Sequence, residues 1–162
     1  MSETHRVVNL FTRSAHAFAA ATAAVPPGRW PAVTPCADWD VRALVNHVVG
    51  EDRWVPPLVE GRTIADVGDA LDGDLLGGAP AEAASSAVAA AVAALSEPEA
   101  LARTVHLSFG DLSAEDYAWQ VLVDHVVHTW DLLAATGQDR TLDPDLVDAA
   151  VGWWADWAEP YR

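Results

Sequence analysis

At 162 residues, 51% of them hydrophobic, the chain is long enough for one domain with a real core and too apolar for a disordered segment. Nine basic residues, all Arg, oppose 24 acidic ones for a formal charge of −15, which leaves no basic stripe for a phosphate backbone and excludes nucleic acid as a main partner. The start, MSETHRVVNLF, has no leader-like apolar run, and no segment reaches the roughly 20 apolar residues that span a bilayer, so a cytoplasmic protein without a membrane partner is expected.

The first predicted helix spans about 3–24, with Val7, Leu10, Phe11, Ala17, Phe18 and Ala21 at helical spacing, and stops before Pro26-Pro27-Gly28. Cys36 follows in TPCADW. As the single cysteine it excludes an internal disulfide and fits a reducing compartment. A small core residue is one reading of it; a thiol activated at a helix N-terminus is the other. The second helix starts near Asp38, read as its N-cap, and runs through VRALVNHVVGEDRW toward Pro56. Residues 61–80, GRTIADVGDALDGDLLGGAP, read as a long Gly- and Asp-rich loop, either a connector with structured turns or the rim of a cleft.

The third helix, about Pro80 to Leu95, is an Ala/Val repeat with proline in its first turn. RTVHLSFGD has strand-like composition, but nothing alternates long enough to build a sheet. The fourth helix runs from the cap Ser113, paired with Asp116, to Ala135, with Gly137 as its stop. The fifth starts at Asp143-Pro144 and places Val147, Ala150, Val151, Trp154 and Trp157 at helical spacing. These elements predict one all-α domain over 1–162: a four-helix bundle with an additional C-terminal helix. Trp153, Trp154 and Trp157 predict a packed core or a homodimer interface on that last helix.

The fourth helix carries the chemistry. On a wheel of about 100° per residue, Tyr117, Gln120, Asp124, His128 and Asp131 fall within a sector of about 80°. The rest of the helix is almost wholly apolar, so it is expected to be buried nearly all round, with its polar stripe facing the interior or a cleft. Buried polar groups need partners, and buried carboxylates need a cation or a metal. Asp124 and His128, one turn apart, can share one ion. His125 lies about 100° from Asp124 and matches the stripe poorly. On the second helix Arg42, Asn46 and Arg53 mark a solvent side, while His47 and Glu51 lie on another, with His47 pointing inward. The residues alone leave two readings open, a hydrogen-bonded polar stripe and a metal site.

Four segments carry a resemblance: TPCADWDVRALVNHVVGEDRW (34–54), VGDALDGDLLGGAP (67–80), LSFGDLSAEDY (107–117) and QVLVDHVVHTWDLLAATGQD (120–139). With the patterns PC-x-DW-x-VR-x-L-x-x-H and D-x-x-x-H-x-WD, the chain is similar to the DinB-like superfamily, in the branch that includes the N-terminal domain of mycothiol-dependent maleylpyruvate isomerase. That resemblance implies a four-helix bundle holding one divalent metal, with His47, Asp124 and His128 as ligands. Zn²⁺ is the first expectation, with Ni²⁺, Fe²⁺ or Mn²⁺ as alternatives. It also implies a low-molecular-weight thiol, mycothiol or similar, as cosubstrate, and S-transfer to or isomerisation of an electrophilic small molecule. Glu51 is the candidate proton acceptor or a group supporting a ligand, Asp131 the candidate orienting group, and Gln120 and Tyr117 candidate cleft residues. The alternatives are a non-catalytic metal-binding accessory or stress protein, and a metal-free bundle serving as a binding or dimerisation module.

Overall fold

The computed structural model describes residues 3–158 and forms six helices with one two-stranded sheet. The long helices are α1 (Glu3–Ala23), α2 (Val41–Val59), α4 (Pro80–Leu95), α5 (Ala114–Thr136) and α6 (Pro144–Ala158), and α3 (Ile64–Val67) is a single turn. Among the described residues, no helix is long and apolar enough to cross a membrane.

Local chemistry sets the helix ends. Ser113 accepts a hydrogen bond from the Asp116 amide at the start of α5, and Gly137 ends that helix in the left-handed region at φ 74°. The start of α2 differs from expectation: Asp38 is itself left-handed, at φ 67°, and the cap is Asp40, whose carboxylate accepts from the Ala43 amide at 2.8 Å. The two-residue shift lets 33–40 fold back on itself, with Val33 bridged to Asp40 and Thr34 bonded to Trp39. α2 also continues past Pro56 and Pro57 to Val59. Burial of Leu58 and Val59 in the core outweighs the helix hydrogen bonds that the prolines cannot donate.

α1, α4, α2 and α5 pack in a ring as the four-helix bundle, and α6 lies against α5 and α1. α4 presents Ala84, Ala87, Val88 and Ala91 to the interior, and their small side chains let it approach both neighbours closely. Two apolar clusters fill the bundle. One holds Phe18, Val41, Leu44, Val45, Val48 and Leu132; the other holds Phe11, Val55, Leu58, Leu95, Ala118 and Leu122. Between them, on α2 and α5, the apolar run is broken by Asp52, His128, Thr129 and Asp131, a polar layer at mid-bundle.

Within residues 61–80, the turn at 73–77 is held by contacts with α2. Asp74 pairs with Arg42 at 2.9 Å, Asn46 exchanges hydrogen bonds with Gly73 and Leu75, and Arg53 donates to the Leu75 carbonyl. The side of α2 expected to face solvent is therefore partly covered by this loop, a connector with structured turns. RTVHLSFGD also departs from expectation. It forms a β-hairpin, β1 (Thr104–Leu107) antiparallel to β2 (Gly110–Ser113), short enough to be set by its own turn. α5 is not buried all round either: Val127 and Trp130 reach solvent.

Candidate metal centre

α2 and α5 bring three of the expected residues together. His47 Nε2 lies 2.9 Å from Asp124 Oδ2, and His128 Nε2 lies 3.6 Å from Asp124 Oδ1. One donor atom from each of His47, Asp124 and His128 falls within a sphere of contacts no longer than 4.8 Å. Tetrahedral ligands at a typical Zn–N or Zn–O distance are ~3.4 Å apart, and the separations of the two imidazoles from the two Asp124 oxygens, 2.9 and 3.6 Å, lie on either side of that value. The donor set of two imidazoles and one carboxylate fits a divalent transition metal.

The residues around the triad fix its orientation. Asp131, buried on α5, accepts from His128 Nδ1 at 3.1 Å, which leaves the Nε2 lone pair free on the nitrogen that lies near Asp124. Cys36, half-buried, donates its thiol to the same Asp131 carboxylate at 3.2 Å and lies 3.8 Å from His128 Nδ1. The thiol is thus engaged in the site's support, which neither sequence reading of Cys36 anticipated. Cys36, His128 and Asp131 also form a compact donor cluster of their own that can hold a metal, sharing His128 with the first. Trp39 covers the site, with its ring 4.8 Å from that of His47 and 5.8 Å from that of His128.

The electrostatics match this arrangement. The hydrogen bond that His47 donates to Asp124 raises His47 above the usual imidazole value against the opposing effect of burial. Burial pushes the Asp124 carboxyl up, but the hydrogen bond from His47 and the neighbouring histidine charges outweigh it and hold Asp124 below the ordinary range. Burial, then the hydrogen bond to Asp131, pushes the Cys36 thiol up to about 11. Burial raises Glu51, whose Oε1 lies 4.0 Å from His47 Nδ1. Gln120, one turn before Asp124, holds a buried Nε2 with no partner among the described residues. Tyr117 sits in the core, and burial holds its phenol protonated.

His125, which the stripe excluded, has a separate role. Fully buried, it bonds Asp52 Oδ1 through Nε2 at 3.0 Å and contacts Ser14 Oγ through Nδ1 at 3.2 Å, between the rings of Phe11 and Phe18. Asp52 and this pairing were missed, although the wheel holds the signal. Asp52 falls in the middle of the stripe Val41, Val45, Val48, Val55 and Val59, and His125 in the middle of Ala118, Val121, Leu122 and Leu132. An acid and an imidazole each centred on an apolar face imply one another. Trp39 was missed as a site residue because it precedes the helix and has no periodicity to place it.

The family model for the mycothiol maleylpyruvate isomerase N-terminal domain matches residues 11–133. Two uncharacterised proteins of Mycobacterium tuberculosis, from strains CDC 1551 / Oshkosh and ATCC 25618 / H37Rv, are each 33% identical over 138 residues, covering 83% of this chain and 69% of theirs. No solved structure matches. With its bundle, its paired motifs on α2 and α5 and a match over most of its length, the chain belongs to the mycothiol maleylpyruvate isomerase N-terminal domain family, in the DinB-like branch.

Proposed function

We propose that this protein binds one divalent metal through His47, Asp124 and His128 and uses it to activate a low-molecular-weight thiol for S-transfer or thiol-assisted isomerisation. The observation that carries the reading is the convergence of one donor from α2 and two from α5 on one point, with the His128 tautomer set by Asp131. Three protein ligands leave a position open, the arrangement of a reactive site as opposed to a closed structural one. A divalent metal bound there supplies positive charge that stabilises a thiolate near neutral pH.

The chain's own residues would do the rest. Glu51, held above its ordinary value by burial and 4.0 Å from His47 Nδ1, is the candidate acceptor of the thiol proton. Gln120 offers a buried donor for a developing oxyanion on the electrophile. Trp39 shields the histidines from bulk water. The thiol sulfur bonds to the electrophilic carbon. In transfer, a leaving group departs with its electron pair and a proton; in isomerisation, the sulfur adds, the former double bond rotates, and the sulfur leaves again. Mycothiol is the thiol that the family description suggests.

Elemental analysis of purified protein beside His47→Ala and His128→Ala tests the site. The expected result is about one equivalent of metal in the parent and none in either variant, with helix content retained. Retained metal in both variants would overturn the ligand assignment. Thiol-dependent consumption of an electrophile, absent from both variants, then separates catalysis from metal binding without turnover.

A further inference from the structure

α5 and α6 leave between them a groove of about 680 Å³, within the range of small-molecule sites. Its walls are apolar: Val127, Trp130, Val151 and Trp154 are 50%, 40%, 63% and 51% exposed. Large apolar side chains gathered in one concave place mark a binding surface. One lining residue is ionisable, and it is Asp124, the carboxylate of the candidate metal centre. The groove and the site therefore share a wall.

We propose that this groove seats the body of the electrophilic substrate, and that the substrate is an uncharged, apolar or aromatic small molecule whose reactive carbon lies at the Asp124 end. The inference rests on the thiol-transfer reading and adds its substrate class. Three observations choose the occupant. The groove has the size of a small ligand, and its indoles offer flat faces that pair with planar rings. The −15 charge of the chain disfavours anions. Carbohydrate-like bodies need hydrogen-bonding walls, and beyond the indole N–H groups of Trp130 and Trp154 this one is lined by a single polar side chain, Asp124. The Arg140 guanidinium, 5.7 Å from the Trp130 ring, braces that ring on the α5 side.

The test is equilibrium binding of benzylideneacetone, a neutral aromatic enone, followed by quenching of tryptophan fluorescence. Cinnamate, its carboxylate counterpart, and methyl vinyl ketone, an enone without the ring, serve as comparisons. Saturable binding is expected for benzylideneacetone, about tenfold weaker for either comparison and about tenfold weaker in Val127→Asp or Val151→Asp. Both substitutions lie at exposed positions, and metal content is expected to be unchanged in each. The same titration on His47→Ala separates the two readings: retained binding with metal lost supports the groove whatever becomes of the metal site. Equal binding of all three compounds, or binding indifferent to both aspartates, would overturn the proposal. So would a dimer that Val127→Asp turns into monomer without any binding of the enone, because the groove would then be an interface between copies.

Discussion

Replacing Asp131 by alanine tests how the metal centre is held. Its carboxylate accepts from His128 Nδ1 at 3.1 Å and from the Cys36 thiol at 3.2 Å, and it is buried. Without it, the contact left to His128 Nδ1 is Cys36 Sγ at 3.8 Å, a weak and distant partner. The imidazole then loses both its preferred tautomer and its orientation toward Asp124. Removing an orienting partner of this kind costs about 10–100-fold in metal affinity, or about 1.4–2.8 kcal/mol. Asp131→Asn keeps an oxygen acceptor and should lose less, about threefold to tenfold. Cys36→Ser should leave affinity nearly unchanged, because the thiol donates to Asp131 and is not a ligand in the His47–Asp124–His128 set. The assay is competition for Zn²⁺ against a chromophoric chelator, with circular dichroism to confirm folding. Equal affinity in Asp131→Ala and the parent would refute the orienting role. Loss of metal in Cys36→Ser, with metal retained in His47→Ala, would move the site to the Cys36–His128–Asp131 cluster.

Asp52→Ala strands the buried His125 and should destabilise the fold by about 3–5 kcal/mol, read as a lowered urea midpoint; a loss below about 1 kcal/mol would mean that the pair contributes little. The His47–Asp124 pair gives the metal-free protein a pH signature. Because His47 is raised, its contribution is complete below the ordinary 6.5 and fades as pH climbs through the raised value. Because Asp124 is lowered, its contribution is complete above the ordinary 3.8 and fades as pH falls through the lowered value. The pair should therefore stabilise most between those limits, and Asp124→Asn should lower the unfolding free energy within that window and remove the slopes on either side of it. Metal must displace the His47 proton, so affinity should rise with pH up to the raised His47 value. Below it, calorimetry in two buffers of different ionisation enthalpy should report about one proton released per metal; no proton release would argue against His47 as a ligand.

The sequence by itself determined the helices, their order and the stripe on α5, because periodicity, caps and prolines act over a few residues and are written locally. Ser113, Gly137 and Pro144 stop and start helices where their own chemistry requires. The stripe also singled out Asp124, His128 and Asp131, since four-residue spacing on a helix is itself a statement about space. Tertiary structure decided everything that needs two segments at once. It closed His47 onto Asp124 across two helices and folded 33–40 back so that Cys36 and Trp39 reach the site. It laid Asp74 on a face of α2 that periodicity assigned to solvent. It also paired Asp52 with His125, turning two isolated polar residues into one buried bond. The groove beside Asp124 belongs to this second class: Val127 and Trp130 look like core on the α5 wheel, and the packing of α6 on α5 leaves them uncovered. A helix wheel shows which residues share a face, whereas the distance to the next helix decides whether that face is filled.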